Sequence, residues 1–493
     1  MCGEMPGSRL AVRMKGDRSR TPGRLATPLR RWAFCRWAFY WCLTLAGLLA
    51  SSHSRAEVEV AVAEKPGQSP TLRLTRTLAD LPSLPVDPPG DSYGGQPAAE
   101  PDATGFFHVA KHAGRWWLVD PAGGLFVSRG VNSVAPVPTA GGRTALATLF
   151  RTEAGWSQQT SDMLRAAGFN TLGAWSSPRL REVERPLPYT RIWNCMSAYG
   201  RRRGGTFSQP GHTGYPGGCP FIFDPGFAEF CLEHAEQLAA TRHDPWLLGH
   251  FSDNELPWKR SLLEGYLALP ESDPGRRAAA AWLANRRPEQ SDREAITEQE
   301  RADFLEFAID RYLAAVTAAI RRHDPNHLFL GMRLHGSALR LPEVWRACGR
   351  HCDVVSVNYY HAWTPSPERM AMWLQEAGRP FLVTEFYAKA ADSGLANTSG
   401  AGWVVETQAD RGRFYQNFTL GLLASPGCVG WHWHRYADND PAAEAADPSN
   451  LDSNKGLVSA RYRPWQPLVA EMQALNDRVH GLRAAAAEPA PVP

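Results

Sequence analysis

Several common sequence signatures are missing from this 493-residue chain, and each absence excludes a class of protein. No G-x-G-x-x-G follows the first predicted strand, which argues against a dinucleotide-binding domain. The sequence has no C-x-x-C pair and no Cys/His group with zinc spacing, so we expect neither a structural metal nor a cofactor. No apolar run is long enough for a comfortable membrane span.

An excess of positive charge is also missing from most of the chain. Residues 1–56 contain ten Lys and Arg against two Asp and Glu, whereas the remainder contains 43 against 48. The net charge of +3 therefore belongs to the opening segment. Because the rest of the chain carries no excess of positive charge, we expect no nucleic-acid partner.

The opening segment has the pattern of a secretory signal peptide. Arg30 and Arg31 precede the uncharged run Trp37–Ala50, and a small-x-small ending follows at Ser54–Ala56. The apolar run is too short to span a bilayer comfortably. We expect residues 1–56 to be removed, and the mature protein to be secreted or periplasmic and free of the membrane. An uncleaved N-terminal anchor is the alternative.

Composition divides the rest of the chain into three parts. Residues 57–104 are rich in Pro and Gly and predict an extended arm or linker. Residues 105–480 predict one large domain that starts with a hairpin, and residues 481–493 predict a disordered tail.

The six cysteines after the leader could form disulfides in an exported protein. We expect Cys348 with Cys352, or Cys195 with Cys219, unless these are buried thiols.

A repeated unit indicates the fold. A helical segment, the four residues Arg-His-Asp-Pro and an apolar strand occur in this order twice, with the tetrapeptide at 242–245 and at 322–325. Eight strands follow from this pattern: Leu125–Asn132, Phe169–Trp175, Tyr189–Asn194, Leu247–Glu255, Leu328–His335, Val354–Tyr359, Phe381–Glu385 and Val429–His434. Eight strand–helix units predict an α/β protein, specifically a (β/α)₈ TIM barrel with long loops at the catalytic face. A doubly wound open sheet is the alternative.

Two of these strands end in a glutamate, Glu255 after the fourth and Glu385 after the seventh. Cleavage of an acetal requires such a pair of carboxyls, one to protonate the leaving oxygen and one to attack or stabilise the sugar cation. The strand ends also predict a polar and aromatic rim suited to sugars, formed by Asn132, Trp175, Asn194, Asn254, His335, Asn358, Tyr359, Tyr360, His361, Trp431, Trp433 and His434.

At these residues the sequence resembles a known group of enzymes. Asn254-Glu255 and the later Glu385 are similar to the catalytic strand ends of clan A retaining glycoside hydrolases, which carry the acid/base on strand four and the nucleophile on strand seven. Over residues 105–480 the chain more narrowly resembles the β-agarase-type family, in the stretches Gly114–Pro121, Gly130–Ser133, Phe251–Trp258 and Ser453–Val458.

The resemblance implies roles for individual residues. Glu255 would be the general acid/base and Glu385 the nucleophile, while Asn254 would bind the sugar 2-hydroxyl. Tyr359 or Tyr360 would keep Glu385 ionised, and Trp431 or Trp433 would form the floor of the subsite. The remaining predicted substrate-binding residues are Asn132, Trp175 and His335.

The implied substrate is a β-linked polysaccharide or oligosaccharide, first an agarose-like galactan and second another β-glycan such as a glucan, mannan or β-galactoside. Long loops at 197–223 and 259–300 could enclose the barrel mouth, and Arg201–Arg203 could meet anionic sugars. Two other classes stay open. One is a non-catalytic sugar-binding barrel, and the other is a different barrel enzyme, such as a metal-dependent one using His432 and His434.

Overall fold

The computed structural model describes residues 58–98, 102–287, 295–444 and 446–486, so the predicted signal peptide lies outside the described residues. Its centre is a parallel sheet of eight strands. In chain order these are β1 (Ser128–Val131), β2 (Thr171–Leu172), β3 (Tyr189–Ile192), β4 (Leu247–Phe251), β5 (Leu328–Phe329), β6 (Val355–Asn358), β7 (Phe381–Glu385) and β8 (Cys428–Trp433). Each overlaps one of the eight predicted segments, several being shorter than predicted.

The strand order shows how the sheet is arranged. Neighbouring strands follow the order β5-β4-β3-β2-β1-β8-β7-β6 across the sheet. The first strand in the chain, β1, therefore pairs in parallel with the last, β8. A doubly wound sheet does not have this order. Beyond the end of β5, Leu334 forms a parallel bridge with Val357 of β6, and its backbone bonds to Ser356 and Asn358 at 2.9 and 2.8 Å. The sheet is therefore strongly curled.

Helices connect most of the strands. In the described residues the α-helices are Ala140–Phe150, Glu153–Ala166, Cys195–Arg203, Phe227–Ala235, Leu262–Leu267, Pro274–Arg286, Glu298–His323, Pro342–His351, Pro367–Ala377, Gln408–Ala424, Gln466–Asn476 and Val479–Ala485. Short 3₁₀ helices lie at Leu78–Asp80, Pro178–Arg181, Pro216–Gly218, Glu236–Thr241, Gly336–Arg340, Ala391–Ser393 and Pro448–Asn450. Within this part of the chain, no helix combines the length and apolar character needed to cross a membrane.

The longest helix, Glu298–His323, illustrates why these segments fold as they do. Thr297 and Glu300 form a capping box at its start, and basic residues occupy its last turn. An apolar residue at every fourth position is buried along its length, at Phe304, Ala308, Tyr312, Val316 and Ile320. This apolar face packs against the sheet and the neighbouring helices, as an amphipathic helix requires.

A small antiparallel sheet closes the end of the parallel sheet at which its strands begin. It consists of His108–His112, Arg115–Val119 and Leu125–Phe126, in agreement with the predicted hairpin. Phe107, Leu118 and Phe126 join one apolar cluster with side chains of the parallel strands. Trp116 also donates a backbone hydrogen bond to Pro426, just before β8. The opposite end of the sheet, where the strands terminate, stays open for the site.

Two parts of the predicted domain division need correction. The arm at 57–104 is not simply extended, because Val58–Val62 and Thr71–Thr75 form an antiparallel hairpin. This hairpin continues into a bond between Ala63 and Val404 of the main domain. The prediction of a disordered tail at 481–493 is wrong for its first residues, because Val479–Ala485 is helical and buries Leu482 and Arg483.

The predicted disulfides are also absent from the structure. All six cysteines in the described residues are buried free thiols. Burial raises the pKa of the Cys219 thiol to about 12, and it also raises the pKa of Cys231. These cysteines therefore act as small core residues, which is the commoner role of a buried thiol.

The second Arg-His-Asp-Pro turn supplies a fully buried hydrogen-bond network. Asp324 accepts hydrogen bonds from His250 and His327, each at 2.7 Å, and His327 also contacts the Asp244 carbonyl at 2.8 Å. Burial alone would raise the pKa of Asp324, but the two histidines lower it below its usual range. The carboxylate thus ties β4 to the turn before β5.

We predict that Asp324→Ala destabilises the protein much more than Asp244→Ala. The first change leaves two buried histidines without their partner and should reduce the free energy of unfolding by about 3–5 kcal/mol. Asp244 occupies the same position in the partly exposed first turn, so its loss should cost about 1 kcal/mol. Denaturant unfolding of both variants measures the difference; equal losses would show that the Asp324 network is not special.

Candidate active site

A cavity of about 710 Å³ opens where the parallel strands end. It contains most of the predicted rim, namely Trp175, Asn254, Glu255, His335, Asn358, Tyr360, His361, Glu385 and His434. The predicted Asn194 lines an adjoining cavity of about 430 Å³, which shares Trp175 and Asn254 with the first. The ends of β4, β6, β7 and β8 thus converge on one space, as expected for parallel strands whose carboxyl ends share a rim.

Glu255 is held at the cavity wall by its backbone and by an amide. It lies four residues beyond β4 in the left-handed region, with φ +55°. Its backbone amide donates to the Arg333 carbonyl at 3.3 Å, and its carboxylate accepts from Asn358 Nδ2 at 2.8 Å. Burial, reinforced by the nearby Glu385 carboxylate, raises the pKa of Glu255 to about 8. This group is therefore protonated at neutral pH.

Glu385, the last residue of β7, has the opposite environment. Its carboxylate accepts a hydrogen bond from Tyr360 at 2.6 Å and another from Arg333. Burial favours its neutral form, but His434, Arg333 and Tyr360 together lower the pKa of Glu385 below its ordinary value. Burial lowers the pKa of His434 itself to about 3, so Arg333 is the partner that is charged at neutral pH.

Arg333 is a central site residue that sequence reasoning missed. Its side chain is fully buried, and its Nε donates to Asn254 Oδ1 at 2.8 Å. The guanidinium also lies 4.6 Å from the centre of the Trp175 ring, within range of a cation–π contact. Arg333 lies inside the predicted fifth strand segment, and its charge in an apolar run was the signal that could have identified it.

A chain of hydrogen bonds joins the two glutamates. Arg333 links Glu385 to Asn254, and Asn358 Nδ2 lies 3.2 Å from the same Asn254 oxygen and 2.8 Å from Glu255. Thr384 fixes the orientation of Asn358 by donating to its side-chain oxygen at 2.8 Å. The two carboxyls are therefore positioned by one network rather than by independent loops.

Other predicted binding residues occupy different positions around this network. Asn132 lies behind the cavity wall, where its Nδ2 donates to the Thr384 carbonyl at 2.6 Å. Trp175 is 39% exposed and presents its ring to the cavity. His335 packs against His212 at 5.5 Å, and burial lowers the pKa of His335 to about 4. One ligand atom from each of His212, His335 and Glu255 lies within 4.8 Å of the others.

Three predicted site residues point away from the cavity. Trp431 donates to the Tyr415 hydroxyl and Trp433 to the Lys455 carbonyl, each at 2.8 Å, and both rings are fully buried. Side chains alternate along β8, so His432 and His434 lie on the face opposite to the two tryptophans. The prediction that Trp431 or Trp433 forms the floor of the subsite is therefore wrong. Tyr359 is also a core residue, because its hydroxyl accepts from the Ser366 amide at 3.0 Å.

Loops from β3 and β8 meet above the cavity. The hairpin of Phe207–Gln209 and His212–Gly214 turns at Gly211, whose φ of +85° favours glycine. The Gly211 amide donates to the Asp447 carboxylate at 2.9 Å. The first predicted long loop therefore covers the site. The second predicted long loop, 259–300, contributes no cavity-lining residue in its described part.

Comparison with known proteins identifies the family. No family model matches the chain. A crystal structure named BpGH50 is 30% identical, with a TM-score of 0.77, and the alignment covers 87% of this chain and 95% of that one. The chain belongs to the GH50 family of glycoside hydrolases. A second GH50 structure, the agarase AgWH50C, shares the fold at 23% identity with a TM-score of 0.66, covering 81% of this chain and 67% of that one.

Two curated relatives of this GH50 protein are agarases from Vibrio sp. (strain JT0107). Beta-agarase B is 24% identical over 77% of this chain and 49% of its own length. Beta-agarase A is 26% identical over 79% of this chain and 48% of its own length. The chain therefore spans about half the length of these two relatives.

Proposed function

We propose that this protein is a retaining glycoside hydrolase that cleaves β-linked galactans of the agarose type. One observation carries the proposal: two carboxyls share a cavity, and their pKa values are displaced in opposite directions. The pKa of Glu255 is raised to about 8, and that of Glu385 is lowered. One acid and one carboxylate are what retention of configuration at an acetal requires.

In the first step Glu385 attacks the anomeric carbon while Glu255 protonates the leaving oxygen. Arg333 and Tyr360 hold Glu385 ionised and oriented through their hydrogen bonds. Once Glu385 is esterified its negative charge is gone, so the pKa of Glu255 falls and this residue can accept a proton from water. We expect the two carboxyls to be roughly 5–5.5 Å apart.

In this proposal Asn254 binds the sugar 2-hydroxyl beside the nucleophile. Its side-chain oxygen accepts from Arg333 and Asn358, which directs its amide nitrogen elsewhere. The network therefore fixes the amide group before substrate arrives. A donor held in this way contributes to transition-state stabilisation because it needs no reorganisation.

We propose further that the curled sheet is a closed (β/α)₈ barrel. The circular order of the strands and the Leu334–Val357 bridge between β5 and β6 support closure. In such a barrel the ends of β4 and β7 supply the catalytic pair, in agreement with the expected positions of Glu255 and Glu385. Export through the predicted signal peptide would bring the enzyme to polysaccharide outside the cytoplasm.

Substitution of the glutamates tests the mechanism. Glu385→Gln should reduce kcat at least about a thousandfold, because it removes the nucleophile. Glu255→Ala should reduce kcat roughly 10²- to 10⁴-fold on natural substrates and regain activity with azide or with substrates that have good leaving groups. Its pH–rate profile should also lose the alkaline limb near pH 8. Glu376→Gln, a surface change, is the control. An inverted anomeric product in an NMR time course would contradict the assignment.

A panel of substrates tests the specificity. Purified enzyme is incubated with oligomers of agarose, porphyran, β-galactan, β-glucan and mannan, and the products are separated by size. We expect cleavage of the agarose-type chain, with short products released from a chain end because the Gly211–Asp447 contact crosses the cavity. Activity confined to glucans or mannans would reject the agarase proposal and leave the retaining mechanism standing.

A further inference from the structure

The cavity carries more positive charge than the proposed reaction uses. Arg340, Arg369, Arg435 and Lys455 all line it. Within the described residues, none of the four has a carboxylate oxygen within 4.0 Å. Among the arginines and lysines of the described residues, Arg333 alone pairs with Glu255 or Glu385, through its contact with Glu385.

Several arginines outside the cavity do have carboxylate partners. On the helices around the sheet, Arg346 pairs with Glu376 at 2.9 Å and Arg350 with Asp310 at 2.8 Å. Two members of the predicted basic triplet are also paired, Arg202 with Glu233 and Arg203 with Asp224. These pairs contrast with the four cavity cations, which have no carboxylate partner among the described residues.

Two of the cavity cations are adjacent and deeply placed. The backbone amide of Arg435 donates to the Lys455 carbonyl, and the Arg435 Nε is buried with no hydrogen-bond partner. Lys455 is 2% exposed, and its ammonium donates to the Ser449 carbonyl at 2.7 Å and to Asn450 at 2.9 Å. Neither contact neutralises its charge.

A pair of like charges in a partly dry site is unfavourable unless an anion offsets it. Burial, together with the charge of Arg435, lowers the pKa of Lys455 to about 7. The nearest catalytic anion, Glu385, is already bound by Arg333 and Tyr360. A ligand with a negative group would supply the missing partner, and a guanidinium matches the geometry of an oxyanion.

We propose that Arg435 and Lys455 form a subsite for an anionic substituent, a sulfate ester or a carboxylate, on the sugar bound beside the catalytic pair. The proposal rests on the proposed glycosidase function and narrows its substrate class to acidic galactans. A subsite for neutral hydroxyls alone would not require two adjacent cations that lack a carboxylate partner.

The experiment measures binding separately from turnover. Isothermal calorimetry at pH 6, where Lys455 is charged, compares galactose, galactose 6-sulfate and galacturonic acid. We expect at least one anionic sugar to bind roughly tenfold or more tightly than galactose, as hydrogen bonds to charged groups allow. The two anionic arms separate a sulfate from a carboxylate site. Equal affinity for the neutral and both anionic sugars would overturn the proposal.

Variants locate the site. Arg435→Gln and Lys455→Gln should each remove most of the preference for the anionic sugar, whereas Arg435→Lys should keep part of it. Arg346→Gln, which removes a distant surface charge, should keep all of it. A preference that survives both glutamine variants would place the anion elsewhere and overturn the proposal. Circular dichroism checks that each variant is folded.

Turnover on paired substrates separates this proposal from the function itself. The ratio of kcat/KM for a sulfated oligomer to that for its neutral counterpart should fall in Arg435→Gln relative to the parent. Cleavage of neutral agarose oligomers with no anionic preference would leave the glycosidase standing and reject the subsite. Anion binding without cleavage of any glycan would reject the glycosidase and leave the anion site intact.

Discussion

The arrangement of the site depends on one interaction, the contact between the buried guanidinium of Arg333 and the carboxylate of Glu385. A carboxylate taken out of water without a partner becomes protonated, and a protonated Glu385 could not attack an anomeric carbon. Arg333 prevents this and, through Asn254, also fixes the neighbouring amide. Arg333 therefore determines both the charge state of Glu385 and the geometry of the hydrogen-bond network.

The same burial has the reverse effect on the second carboxyl. Glu255 receives an amide hydrogen bond from Asn358, but among the described residues no arginine forms an ion pair with it, so burial and the charge of Glu385 keep it protonated. A buried ion pair is weak evidence for stability, since desolvation offsets much of its attraction. We therefore interpret the Arg333–Glu385 pair as serving function rather than stability. The packing of the apolar sheet and helices must offset its desolvation cost.

Sequence periodicity predicted much of the fold because strand and helix patterns are local. The pattern predicts the eight strands and the two glutamates that follow or end them. Which face a side chain occupies was harder to predict. The sequence predicts Trp431 or Trp433 at the sugar, yet the alternation of β8 directs both into the core and His434 into the cavity.

Contacts between distant segments could not be predicted. Arg333 is a single charge in an apolar stretch, and only the fold brings it to Glu385, 52 residues later. The same holds for Gly211 and Asp447, which are 236 residues apart. Tyr360 rather than Tyr359 bonds to Glu385 because a shift of one residue past β6 changes the direction of the side chain.

Direct titration of the two carboxyls by ¹³C NMR tests the central claim. With selectively labelled glutamate, assigned by comparison with Glu255→Gln and Glu385→Gln, the account predicts that Glu255 titrates near pH 8 and Glu385 below its ordinary pKa. In Glu385→Gln the pKa of Glu255 should fall, because one cause of its elevation is removed, but burial should keep it above the usual value. A Glu385 that titrates above Glu255 would contradict the account and reverse the two roles.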